Sequence, residues 1–203
     1  MRDALVAGLV AAAMLMCAAR ETAAQQPSRS GLWLEAARGT GTVRNSCRDC
    51  DGVTTAYGSA NYLRAGFGLF GTPVLLGLEL FALSSSNLDL VGGGPTVDAE
   101  NGAVGPIVMW YLGDSGVYFR GGAGLSRGTY TVRTSEGQTA TAKRTGSALT
   151  FGLGFDVGVW SWLAVTADLG TYIAAVGDLT VDGTLVDDII ATVYQASVGL
   201  ALR

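Results

Sequence analysis

Six ionisable side chains fall among small residues, on one face of successive extended segments when counted at period two: Glu35, Arg64, Glu79, Arg120, Asp156 and Asp168. Carboxylates and guanidinium groups held together permit three kinds of chemistry. They can neutralise one another in a static network of ion pairs that fills space. They can rearrange to open a narrow aqueous path. Two carboxylates can also share acid–base work on a substrate. The static network is the simplest expectation, since confined charges must pair whatever else they do. Four acids against two bases leave the set net negative, so a path through it would favour cations. The chain has no histidine, which removes the commonest general base and the commonest metal ligand. No catalytic residue, metal site or cofactor is expected. The net charge of −4, with no basic run, gives nucleic acid no electrostatic footing.

The front of the chain reads as an export signal. Arg2 is a basic start, Ala4 to Ala19 is an apolar run, and Thr22-Ala23-Ala24 offers the small residues a signal peptidase reads. The expected division is a signal peptide over 1–24 and one domain over 25–203. A membrane anchor is disfavoured because the run falls short of the ~20 apolar residues a spanning helix needs. Lipidation at Cys17 is disfavoured because Met16 stands where a small residue is required.

Cleavage leaves Cys47 and Cys50, in Ser46-Cys47-Arg48-Asp49-Cys50-Asp51. An exported C-x-x-C is expected to be oxidised. A thioredoxin-like role needs a strand-to-helix setting, and zinc needs two further ligands; this chain offers neither. A small disulfide shaping a loop tip is the expectation.

The elements that must position the six charges are strands. Although 49% of residues are hydrophobic and only 15% charged, no stretch after the signal is a continuous apolar run long enough for a spanning helix. The apolar residues are interleaved, as in a wall with lipid on one side and a lumen on the other. Eight strands are predicted, over 31–41, 55–69, 74–83, 102–111, 116–130, 146–157, 163–174 and 190–202. In strand three, Val74, Leu76, Leu78 and Leu80 oppose Gly77, Glu79 and Phe81; in strand six, Leu149, Phe151, Leu153 and Phe155 oppose Thr150, Gly152, Gly154 and Asp156. Strand four is the exception. Both its faces are apolar and Pro106 cannot donate to a ladder, so a bulge is expected there. Glycine on the small-residue face is a space requirement, since eight strands enclose little more than their own side chains. Gly-x-Gly pairs such as Gly152 and Gly154 precede no helix, so they are not nucleotide fingerprints.

Gaps alternate between short (70–73, 112–115, 158–162) and long (42–54, 84–98, 131–145, 176–188). Short periplasmic turns and long outer loops fit that alternation and put both chain ends in the periplasm. Trp110, Tyr111, Tyr118, Phe155, Trp160 and Trp162 cluster at the short turns as an interfacial girdle would. Tyr57, Phe81, Tyr130 and Tyr172 are candidates for a weaker outer girdle. The fold class is all-β: an eight-stranded antiparallel up-and-down transmembrane barrel whose first and last strands pair. Loop acids, such as Asp187 and Asp188, lack the spacing of a calcium loop. Gly31-Leu32-Trp33 matches the G-x-W start of a soluble lipocalin, but the lipid-type face argues against that fold.

The chain resembles the small outer-membrane β-barrels of OmpA/OmpX type from Gram-negative bacteria. The resemblance rests on Gly31-Leu32-Trp33-Leu34, the Cys47–Cys50 loop, Tyr62-Leu63-Arg64-Ala65-Gly66, Leu76-Gly77-Leu78-Glu79, Phe119-Arg120-Gly121-Gly122-Ala123-Gly124-Leu125 and Val198-Gly199-Leu200-Ala201-Leu202. It implies insertion by the barrel-assembly machinery and residence among outer-membrane lipid and lipopolysaccharide. Such barrels usually end in Phe or Trp, whereas this sequence ends Leu202-Arg203. The implied role is a non-enzymatic barrel of structural or surface-interaction type with a plugged or very narrow lumen. The alternatives are a small cation-preferring pore and a secreted soluble ligand-binding barrel. Lipid-modifying enzymes of this build rely on a histidine that the chain lacks.

Overall fold

In the computed structural model, the described residues are 31–46, 54–89, 96–133, 139–181 and 184–203. Residues 1–24, with the expected signal, and Cys47 and Cys50 lie outside them. The described residues form eight strands: β1 (Gly31–Ser46), β2 (Thr54–Gly68), β3 (Val74–Asp89), β4 (Thr96–Tyr111), β5 (Val117–Arg133), β6 (Thr139–Trp160), β7 (Leu163–Val181) and β8 (Thr184–Leu202). Each pairs antiparallel with the next, and β1 pairs with β8, so the sheet closes into a barrel. Closure leaves no strand edge without a hydrogen-bond partner.

At the short-turn end the strands stop near where the alternation stops. Gly71, Gly113 and Gly116 take positive φ there (71°, 57° and 77°), which glycine allows without strain. At the other end every strand but β2, which begins one residue early, runs several residues past the predicted limit. Beyond hydrocarbon thickness neither face must be apolar, so the alternation fades while the backbone ladder continues. At Pro106 the expected bulge is absent. Pairing with β5 lapses at Gly105 and Pro106, then resumes in unchanged register at Ile107↔Gly122. The missing donor thus interrupts the ladder without adding a residue to it. Register shifts fall instead between Ser85 and Leu88, between Gly158 and Trp160, and twice in β7 between Ala175 and Leu179.

Two faces separate cleanly. Leu32, Leu78, Leu125, Leu169 and Val198 are each at least 60% exposed on the outer wall. The interior is layered along the axis. Toward the loops lies an apolar plug of Val43, Phe81, Leu83, Tyr130, Tyr172 and Val193, with Phe81 stacked on Tyr172 at 3.6 Å between ring centroids. Toward the turns lies a second apolar cluster, which includes Trp33, Leu75, Ile107 and Met109. The charges sit between and beside these layers.

Candidate functional site

Register brings the first three charges into one row. Glu35 on β1 is paired with Arg64 on β2, and Arg64 with Glu79 on β3. All three point inward and are buried. Arg64 Nε donates to Glu79 Oε2 at 2.5 Å, Nη1 to Glu35 Oε2 at 3.3 Å, and Nη2 lies 3.4 Å from Asp168 Oδ2. Its guanidinium lies 3.7 Å from the centre of the Tyr62 ring, whose hydroxyl donates to Glu35 Oε1 at 2.9 Å. One cation is therefore shared among three carboxylates.

The second cation reaches its partner across an intervening strand. Arg120 on β5 is paired with Gly152 on β6, which is paired with Gly170 on β7. With no side chains at those two positions, the guanidinium lies along the wall and grips Asp168 with two bonds, Nε to Oδ2 at 3.0 Å and Nη2 to Oδ1 at 2.9 Å. A Cβ at Gly152 would stand 2.7 Å from Arg120 Nε and 2.9 Å from Cζ. Gly154 does the same for Tyr118, whose hydroxyl donates to Asp168 Oδ2 at 3.3 Å. The Gly-x-Gly of β6 is a shelf on which β5 side chains cross to β7. Arg120 Nη1 also donates to Thr150 Oγ1 and lies 3.4 Å from Glu79, which joins the two halves of the network. Gln195 Nε2 donates to Asp168 Oδ1 at 3.1 Å.

Asp156 stands apart, at the turn end. It accepts from Tyr111 at 2.7 Å and from Arg203, whose Nη2 also donates to the Tyr111 hydroxyl at 2.8 Å. The Arg203 backbone N–H donates to Trp162 O at 3.0 Å, fixing the end of β8 beside the last turn. Sequence counting missed Arg203, although period two from Gly199 and Ala201 points it inward. With Arg203 included, the described lumen charges are four acids and three bases rather than four and two.

Four of the six turn-side aromatics stand on the outer face, and two do not. Trp110, Trp160 and Trp162 are more than half exposed, with Trp160 and Trp162 stacked at 5.6 Å; Phe155 is partly exposed. Tyr111 and Tyr118 are buried in the lumen, where their hydroxyls serve Asp156 and Asp168. Their nearness to the turns suggests the girdle, but their parity with Arg120 and Met109 turns them inward. Of the outer candidates, Tyr57 is exposed, while Phe81, Tyr130 and Tyr172 form part of the apolar plug.

A family model described as "Outer membrane protein beta-barrel domain" matches residues 9–201. The chain belongs to this family. Among similar solved structures is Neisserial surface protein A, at 16% identity and TM-score 0.53, covering 86% of this chain and 97% of that one. The attachment invasion locus protein Ail of Yersinia pestis, in complex with the heparin analogue sucrose octasulfate, matches at 13% identity and TM-score 0.53, covering 84% and 99%. OprG of Pseudomonas aeruginosa matches at 13% and TM-score 0.50, covering 87% and 97%. No curated protein sequence matches the chain. At these identities the likeness is one of fold: small outer-membrane barrels of the same build.

Proposed function

We propose that this chain is a non-enzymatic outer-membrane barrel with a sealed lumen, exported by a signal over 1–24, with the barrel over 25–203. The three described turns face the periplasm with both chain ends, and the long loops meet the surroundings of the cell. The sealed centre carries this reading. Arg64 on β2 and Arg120 on β5 tie in Glu35 on β1, Glu79 on β3 and Asp168 on β7, five strands in all, between two layers of apolar and aromatic side chains. Beside this network, a cavity of about 10 Å³ bounded by Glu79, Gly105, Pro106, Thr150 and Tyr172 has room for one water. Each central carboxylate already holds an arginine, which speaks against a free acid or base for catalysis.

The same lumen gives a reason to keep a second reading. Glu35, Glu79 and Asp168 outnumber Arg64 and Arg120, so a rearranged network would pass cations. Planar-bilayer recording of the full chain separates the two. A sealed barrel gives no steps at any voltage that leaves the membrane intact. Reproducible cation-selective steps would establish the pore instead. The expected partners are outer-membrane lipid, lipopolysaccharide and, during biogenesis, the barrel-assembly machinery; the Cys47–Cys50 disulfide is proposed as a brace of the first loop.

A further inference from the structure

Charge is spread unevenly over the outer wall. Above the aliphatic band, on the loop side, β1 carries Arg38 and Arg44, β5 carries Arg127, and β6 carries Lys143, all exposed. At the turn end the wall presents Phe70, Trp110, Trp160 and Trp162, and the arginine there, Arg203, is turned inward. Arg38, Arg44, Arg127 and Lys143 have no ion-pair partner among the described residues.

Two of these cations stand together. Arg127 is paired with Thr145, and Lys143 with Thr129, so they are diagonal neighbours on one outward face. Diagonal positions are ~7–8 Å apart or less at Cβ, within joint reach of one ligand for side chains this long. Exposed Thr145 and Ser147 add hydroxyls beside them, and Leu125 and Leu149, just toward the turns, are the last aliphatics of the band. On β4, exposed Glu100 is paired with Thr129 and so stands diagonal to Arg127 on its other side, with Asp98 one step further toward the loops; the basic patch is confined to β5 and β6 and bordered by these acids. The pair therefore sits at the rim, where acyl chains give way to headgroups.

We propose that Arg127 and Lys143 hold a phosphomonoester of a glycolipid in the outer leaflet, an inference that rests on the membrane orientation given above. A phosphomonoester carries close to two negative charges near neutral pH, against one for a phosphodiester, and so matches two cations. Arg supplies a planar fork to phosphate oxygens and Lys a mobile point charge. A membrane surface strengthens both interactions by excluding water from one side.

The test folds the full chain into phosphatidylcholine bilayers containing bisphosphorylated lipid A, extracts it in mild detergent, and counts retained lipid by native mass spectrometry. Gel mobility before and after heating reports folding in each sample. The wild type should keep lipid A, the Arg127→Ala/Lys143→Ala pair should keep about tenfold less, and Arg127→Lys/Lys143→Arg should keep wild-type amounts. Dephosphorylated lipid A and phosphatidylglycerol should be retained weakly by all three. Equal retention by the alanine pair, or retention of phosphatidylglycerol equal to lipid A, overturns the proposal. A wild type that shows no heat-modifiable band in phosphatidylcholine alone would instead count against the membrane-barrel reading on which the proposal rests.

Discussion

Adding one methyl group at Gly170 should damage the barrel more than removing many larger groups would. A Cβ at Gly170 would fall well inside contact distance of Arg120 Nη2, and 3.0 Å from Gln195 Nε2. The guanidinium must retreat by roughly 1 Å to regain ordinary separation. That movement breaks the bond from Nη2 to Asp168 Oδ1, now 2.9 Å, and disturbs the second from Nε at 3.0 Å. Asp168 is buried and, among the described residues, keeps Gln195, Tyr118 and the longer contact with Arg64. Breaking one side of a buried pair costs about 3–5 kcal/mol, and partial displacement about 2–4 kcal/mol. Gly121→Ala is the control: it points to the lipid side, and its nearest neighbour would be Thr150 O at 3.9 Å. It should change stability by less than about 0.5 kcal/mol. The assay is urea unfolding in lipid vesicles, followed by tryptophan fluorescence and by gel mobility. In an Arg120→Ala background, Gly170→Ala should lose most of its effect, because the group it collides with is gone. Equal effects of Gly170→Ala and Gly121→Ala, or full additivity with Arg120→Ala, would refute the shelf.

Two further outcomes follow from the same geometry. Arg203→Ala leaves Asp156 with Tyr111 as its remaining described partner and should destabilise by about 2 kcal/mol, while Asp156→Asn added to it should recover at least half of that loss in the same urea assay. Leu78→Arg, in the middle of the aliphatic band, should lower stability in bilayers by about 2–4 kcal/mol, and Leu125→Arg, at its loop-side edge, by about 1 kcal/mol or less, a depth dependence a water-exposed wall would not show.

Much of the fold was legible because a membrane wall makes strong demands. Leu76, Leu78 and Leu80 against Gly77 and Glu79 cannot be mistaken for a helix face, and the short gaps located the turns. The six lumen charges were found by parity alone. Their partners were not, because pairing depends on which side chains are missing between them. Arg120 meets Asp168 only because Gly152 and Gly170 lie in its path, and sequence alone does not give the register that aligns them. Tyr111 and Tyr118 were drawn to the girdle by position along the strand; parity with Arg120 already placed Tyr118 inside, whereas β4, apolar on both faces, gave no such sign for Tyr111. The loop-side plug was hidden for another reason. Past the hydrocarbon band, Val43, Leu83 and Val193 face inward while their outward neighbours turn polar, so the contrast that marks a membrane wall reverses.

In this barrel aliphatic side chains meet acyl tails while ions and aromatics fill the centre. Quenching by lipids brominated along their acyl chains reads this residue by residue. In single-tryptophan versions of the protein, with the other native tryptophans replaced by phenylalanine, Leu125→Trp should be quenched strongly and native Trp33, 5% exposed inside the barrel, should be quenched little. Strong quenching of Trp33, or a tryptophan at position 125 reached by aqueous iodide rather than by bromolipid, would contradict it.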